Sequence, residues 1–238
     1  MSDSRPPATL TPALLRRLRL LGLLDDAQLQ RVLSHARLVH HPRRTTVVMK
    51  GRGIDYLGFL VAGKLQVVDV LPDGKEFGLN LIEEGQFFGE LSVIDLRPRS
   101  ASVIALTPVT VVQIPGDLAR EIFYHVPAVA RALMEHLAAT VRRMSELRAL
   151  QSLPHAHQRV YALLDYIKRE EAGGEQVIDD MPTHQSAAIM VNTSRETVTR
   201  ALARLKAAGV IRQDRRRLVI RQPDALRRLL DDPSQLPP

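Results

Sequence analysis

Near residue 116 the hydrophobic pattern of this chain changes period. From Val39 to Pro115, short β-rich runs alternate with turn signals: Thr45–Met49, Tyr56–Ala62, Lys64–Leu71, Glu76–Ile82, Ala101–Ala105 and Val109–Ile114. Eight of the thirteen glycines fall between Gly51 and Gly89, and Pro72-Asp73-Gly74-Lys75 reads as a hairpin turn. Strands at this spacing predict a small all-β roll or barrel. From Asp117 to about Leu153 the period is helical. Ala130, Leu133, Leu137, Thr140, Met144 and Leu147 recur at alternating steps of three and four, the pattern of a two-helix seam. A helix packed on its own roll would show a similar stripe, and Ala and Thr make a weak seam; a dimer helix is the preferred reading. Pro154 then breaks the helix.

The flanks are helical. Pro12–Leu38 reads as two short helices, the first opened by a Thr11 cap and Pro12, with Leu14, Leu15, Leu18 and Leu21 on one stripe. His155–Gln222 reads as a second, mostly helical domain. It holds an amphipathic helix over His157–Glu170 closed by Gly173-Gly174, and ends in a short hairpin of Ile211 and Leu218–Ile220. The fold class expected is α+β, divided at residues 1–126, 127–153 and 154–238.

Composition narrows the chemistry. The 238 residues carry a formal net charge of +7, which favours polyanionic partners. There is no cysteine, so disulfides, thiol catalysis, cysteine-ligated zinc and iron–sulfur clusters are excluded. Met1–Pro7 has no apolar stretch of a secretory signal, and no apolar run suits a transmembrane helix. A cytoplasmic protein without a membrane partner is expected. No Gly-x-Ser-x-Gly elbow, Walker loop or His-Glu-x-x-His occurs, and His155 and His157 have no carboxylate cluster beside them. Neither catalytic residues nor a metal site are expected; a histidine-ligated haem has no support.

Thr183–Gly209 reads as helix, turn and second helix. Thr183 caps the first, Val191-Asn192-Thr193 makes the turn, Ser194 caps the second, and Gly209 stops it. Ala187, Ile189, Val198, Leu202 and Leu205 point inward at helical spacing; Arg195, Glu196, Thr199, Arg200 and Arg204 point outward. This is the layout of a helix-turn-helix whose second helix enters the major groove. Arginine suits guanine and glutamate the cytosine amino group, while the hydroxyls of Thr193, Ser194 and Thr197 suit phosphate. Five arginines, Arg216 among them, lie between Ile211 and Arg221, placed to follow the phosphate backbone. Ser194-Arg195-Glu196-Thr197-Val198-Thr199-Arg200 resembles the recognition-helix motif of the catabolite activator (CRP/FNR) family.

The β-rich half has its own signature. Phe88-Gly89-Glu90-Leu91-Ser92 is followed by Arg97-Pro98-Arg99-Ser100-Ala101-Ser102-Val103. A glycine admits close backbone approach, a helix starting at Glu90 would offer free N–H groups to an anion, and Arg99 and Ser100 add a fork and a hydroxyl. Glu90 could accept from a ribose hydroxyl. On a loop, Arg99 should be replaceable without loss of folding. The run resembles the phosphate-binding cassette of cyclic-nucleotide-binding domains, its Glu-to-Arg spacing closer to kinase regulatory subunits and gated channels than to the catabolite activator.

Together the two resemblances span roughly Leu20–Gln222. They imply an N-terminal β-roll that binds a cyclic nucleotide (cAMP, cGMP or cyclic di-GMP, no covalent cofactor), a long dimerisation helix and a C-terminal winged helix-turn-helix. They further imply a homodimer on double-stranded palindromic DNA with TGTGA-like half-sites, and contact with RNA polymerase. In the cAMP-responsive members a Thr-Ser pair on the dimer helix bonds adenine; here alignment places Met144 and Ser145, and a thioether cannot donate. Cyclic di-GMP is therefore the alternative effector. A constitutive DNA binder with a vestigial pocket is the other alternative, against which Glu90, Arg99 and Ser100 stand intact.

Overall fold

The computed structural model describes residues 9–53, 56–70, 76–215 and 217–231. The chain divides into two compact units, residues 1–139 and 140–238. In the first, α1 (Pro12–Arg16) opens as its Thr11–Pro12 start requires, with the Thr11 hydroxyl accepting from the Leu14 amide. Asp25 and Gln28 form a reciprocal capping box on α2 (Asp26–His35). The strands β1 (Arg37–His41), β2 (Thr46–Val48), β3 (Tyr56–Ala62), β4 (Leu65–Val70), β5 (Glu76–Ile82) and β6 (Phe87–Phe88) follow. Then come α3 (Glu90–Asp95), β7 (Ser102–Ala105), β8 (Val109–Pro115), α4 (Gly116–His125) and α5 (Pro127–Gln151).

The strands form two four-stranded antiparallel sheets, ordered β1-β8-β3-β6 and β2-β7-β4-β5. Strand β3 lies between two apolar clusters. Leu57 and Phe59 join Val112 and Ile114 of β8, with Leu15, Leu29, Ile122 and Phe123 from the helices. Leu60 joins Leu65, Phe88 and Val111 between the sheets. Full burial of such side chains stabilises by about 1.5–3 kcal/mol each.

The strand runs expected from the sequence are present to within one residue at each described end, whereas β1 and β6 carry no such signal. The turn expected at Pro72–Lys75 lies outside the described residues. Three leucines of the seam expected on α5 pack against the chain's own cores. Leu133 and Leu137 pack into the core of the first unit, and Leu147 packs against that of the second. The large apolar side chains of α5 left exposed are Met134, Val141 and Met144, each more than 60% exposed.

The second unit holds α6 (Ala156–Ile167), β9 (Arg169–Glu170), β10 (Gln176–Ile178), α7 (His184–Met190), α8 (Arg195–Ala207), β11 (Ile211–Asp214), β12 (Arg217–Ile220) and α9 (Pro223–Asp231). Its sheet runs β11-β12-β10-β9. Tyr161, Leu164, Val198, Leu202, Leu205 and Leu226 form its core. The helix expected over His157–Glu170 ends three residues early. Arg169 and Glu170 pair with Val177 and Gln176 instead, so strand pairing overrides the helical pattern, and Gly173-Gly174 lies between the two strands rather than capping a helix. No helix among the described residues is long and apolar enough to cross a membrane.

Gly58 of β3 pairs with Phe88 of β6, and a Cβ at residue 58 would overlap the Phe88 ring. Gly58→Ala is expected to cost about 1–3 kcal/mol through overpacking, read as a lower urea midpoint with unchanged slope.

Candidate functional site

Gly89 ends β6 with φ of 86°, in the left-handed region, and caps α3. The first N–H groups of that helix have no partner within it. Under the cap lies Arg99, only 5% exposed. Its Nη1 donates to the Gly89 carbonyl at 3.0 Å and its Nη2 donates to the Tyr56 carbonyl. Its guanidinium carbon stands 5.2 Å from the centre of the Tyr56 ring, a cation–π arrangement. A Cβ at residue 89 would overlap Nη1, so glycine here serves both the backbone turn and the arginine. The Arg99 main chain is also held: its N–H donates to Arg52 O, and its carbonyl accepts from Gly51 N, both at 2.9 Å.

Glu90 is half-buried beside this arrangement. Burial pushes its carboxyl above the usual carboxylate range, against the opposing pull of its own N–H and of Arg99. Phe88 is buried and meets Tyr56 edge to face, Leu91 and Ser100 are exposed, and Ser92 is buried. Phe88, Gly89, Glu90 and Arg99 are thus together, with a fixed positive charge at the start of a helix. Met144 and Ser145 lie in the second unit, both exposed, with the Ser145 hydroxyl donating to Val141 O at 3.1 Å. Sequence reasoning missed Tyr56, which meets Arg99 and Phe88 only through the fold, and Gly58, whose role comes from its pairing with Phe88. Among the described residues no group of three or more His, Asp or Glu is placed to hold a metal.

The second unit builds the other site. Thr183 caps α7, its hydroxyl accepting from Ser186 N at 3.1 Å, and Ser194 caps α8 by accepting from Thr197 N at 3.1 Å. Asn192 turns the chain at φ 48°, as its tolerance of the left-handed region suggests. Arg195, Glu196, Thr199, Arg200 and Arg204 are exposed on α8. The three arginines form no ion pair among the described residues. Glu196 is held below the usual carboxylate range by its own N–H and the Ser194 hydroxyl, so it stays ionised. Thr199 is partly engaged, donating to Arg195 O and meeting His184 Nδ1. Thr197, expected to face phosphate, is buried with its hydroxyl on Ser194. Thr193 is half-exposed, and so is Ile189, which was expected inward; Ala188 is buried instead. Arg216 lies outside the described residues.

Arg159 of α6 holds the turn in place. Its guanidinium donates to Val191 O at 2.9 Å, Asn192 O at 3.0 Å and Leu153 O at 2.9 Å. Gln151 donates to Met190 O at 2.9 Å. An arginine on a mostly apolar helix is the only sequence sign of this clamp.

Residues 38–125 match the cyclic nucleotide-binding domain family, and residues 158–229 match the Crp-like helix-turn-helix domain family. The "CRP-like cAMP-activated global transcriptional regulator" of Mycobacterium tuberculosis is 30% identical over 194 residues, covering 80% of this chain and 86% of that protein. The chain belongs to the CRP/FNR family of transcription regulators. The "Cyclic AMP receptor protein" of Thermus thermophilus is 28% identical, covering 79% of this chain and 86% of that one. Among solved structures, FixK2 of Bradyrhizobium japonicum has a TM-score of 0.64 at 20% identity, covering 82% of this chain and 96% of its own. The c-di-GMP responsive global regulator CLP of Xanthomonas campestris has 0.61 at 22%, covering 82% and 99%. At these identities the structures bear on the fold alone. As a CRP/FNR regulator the chain carries a cyclic-nucleotide-binding domain and a DNA-binding helix-turn-helix.

Arg99→Ala is expected to cost about 1–3 kcal/mol of stability, because two half-buried carbonyls lose their charged donor. Folding should survive this loss; denaturant titration without nucleotide measures it. Glu90 gives a pH effect of opposite sign to a salt-bridged carboxylate. Its folded pKa is raised, so stability falls as pH rises from the unfolded carboxylate value, about 4.3, to the folded value. Glu90→Gln should remove that fall and raise the melting temperature at pH 7.

Proposed function

We propose that the chain is a cytoplasmic homodimer whose affinity for specific double-stranded DNA is set by cAMP or a related cyclic mononucleotide. The observation that carries this is Arg99 lodged beneath Gly89 at the start of α3, with Glu90 beside it. A cyclic phosphate would accept from the α3 N–H groups and lie in the field of Arg99, and Glu90 would accept from the ribose hydroxyl. The relatives from Mycobacterium tuberculosis and Thermus thermophilus are both named for cAMP, which favours the mononucleotide. The exposed Met134, Val141 and Met144 on α5 supply apolar surface for a two-fold partner. With the recognition helix repeated by two-fold symmetry, the DNA site is an inverted repeat of TGTGA-like half-sites about one helical turn apart.

Calorimetric titration with cAMP, cGMP and cyclic di-GMP tests the effector. Binding of a cyclic mononucleotide at micromolar affinity or better supports it; binding of cyclic di-GMP alone refutes it. For DNA, Arg200→Ala is expected to cost roughly 1–3 kcal/mol and to relax preference at one G·C pair. Fluorescence anisotropy on single-base variants of the inverted repeat checks this, and an equal loss on every variant would place Arg200 on phosphate instead.

A further inference from the structure

The hairpin of β11 and β12 divides its arginines into two kinds. Arg212 and Arg215 are exposed and form no ion pair among the described residues. Arg217 and Arg221 are drawn into a chain of alternating charge along the sheet. Arg217 Nη2 lies 2.8 Å from Glu171 Oε2 and 3.8 Å from Glu175 Oε2, and Arg221 Nη1 lies 3.9 Å from Glu175 Oε1. Glu171 also meets Arg169 at 2.9 Å, and Arg169 meets Asp179. The two glutamates flank the tight connection of β9 to β10, where Glu171 N donates to Glu175 O at 2.9 Å, so the backbone fixes both beside β12. Exposed ion pairs of this kind add little to stability. Their larger effect is on the field of the wing, which they hold near neutrality beside Arg217 and Arg221.

We propose that Glu171 and Glu175 act as built-in counter-ions that lower the sequence-independent affinity of the wing for the DNA backbone. The proposal rests on the DNA-binding reading above. A phosphate approaching β12 has to compete with a carboxylate already fixed on Arg217, whereas Arg212 and Arg215 are open to it. Non-specific binding comes almost entirely from neutralised phosphates, each steepening the slope of log affinity against log salt by about 0.9. The two glutamates therefore hold that slope shallower than the hairpin's arginine content implies. They shorten retention on DNA of the wrong sequence while leaving the base-reading face of α8 untouched.

The test uses the full chain with saturating cAMP and fluorescence anisotropy over a salt series. One duplex carries the inverted repeat and a second is scrambled. Glu171→Gln/Glu175→Gln is expected to bind both duplexes several-fold tighter, by the same factor, with a slope steeper by about one to two. Adding Arg217→Gln to that variant should undo about half or more of the gain. In the wild-type background Arg217→Gln should change little, while Arg212→Gln should make the slope shallower by about one. This single-arginine comparison decides the matter even if the double glutamate variant folds poorly. The proposal is overturned if the double variant keeps the wild-type slope, if its gain is confined to the inverted repeat, or if Arg217→Gln alone is as costly as Arg212→Gln. Wild type binding neither duplex would overturn the DNA-binding reading itself.

Discussion

The missing side chain at residue 89 is the constraint on which the nucleotide half is built. Because that position has no Cβ, the Arg99 guanidinium can lie directly against the Gly89 carbonyl. From there it also reaches the Tyr56 carbonyl, while its own backbone pairs with Gly51 and Arg52. One arginine thus ties β3, the segment after β2 and the start of α3 to a single point. On the neighbouring strand, Gly58 has the matching role of making room for the Phe88 ring. Arg99 thereby places a guanidinium beside Glu90 at a helix start, where anions are already favoured.

The DNA-binding half is organised by hydrogen bonds to the main chain. Two hydroxyl caps, one left-handed Asn and one arginine define the path from α7 to α8. Thr197 and Thr199 spend hydroxyl capacity on this scaffold, and the exposed charged groups of α8 are Arg195, Glu196, Arg200, Arg204 and Lys206.

What is legible in the sequence is what is decided locally. The caps at Thr11, Thr183 and Ser194, the turn at Asn192 and the longer strands depend on neighbours a few residues away, and they appear where their residue types place them. The errors fall where distant pairing decides. Lys168–Glu170 continues a helical pattern yet leaves the helix, because β10 offers a partner strand. β1 is rich in His and Arg and becomes a strand by pairing with β8. Of the seam expected on α5, Leu133, Leu137 and Leu147 pack against the chain's own cores while Met144 stays exposed, since the periodic pattern cannot say which positions those cores will claim. Motifs point to the candidate residues, but the burial of Arg99 and the clamp of Arg159 come from contacts 43 and up to 33 positions away along the chain.

Arg159 grips three carbonyl oxygens, and every residue type carries one of those. Its hold on the turn is therefore indifferent to which side chains stand at Leu153, Val191 and Asn192, provided the backbone follows the same path. The same holds for the exposed face of α8, which the clamp never touches. Such a scaffold separates the mounting of the helix from its message. Exposed residues of α8 such as 195, 196 and 200 could be exchanged without disturbing the joint that presents them.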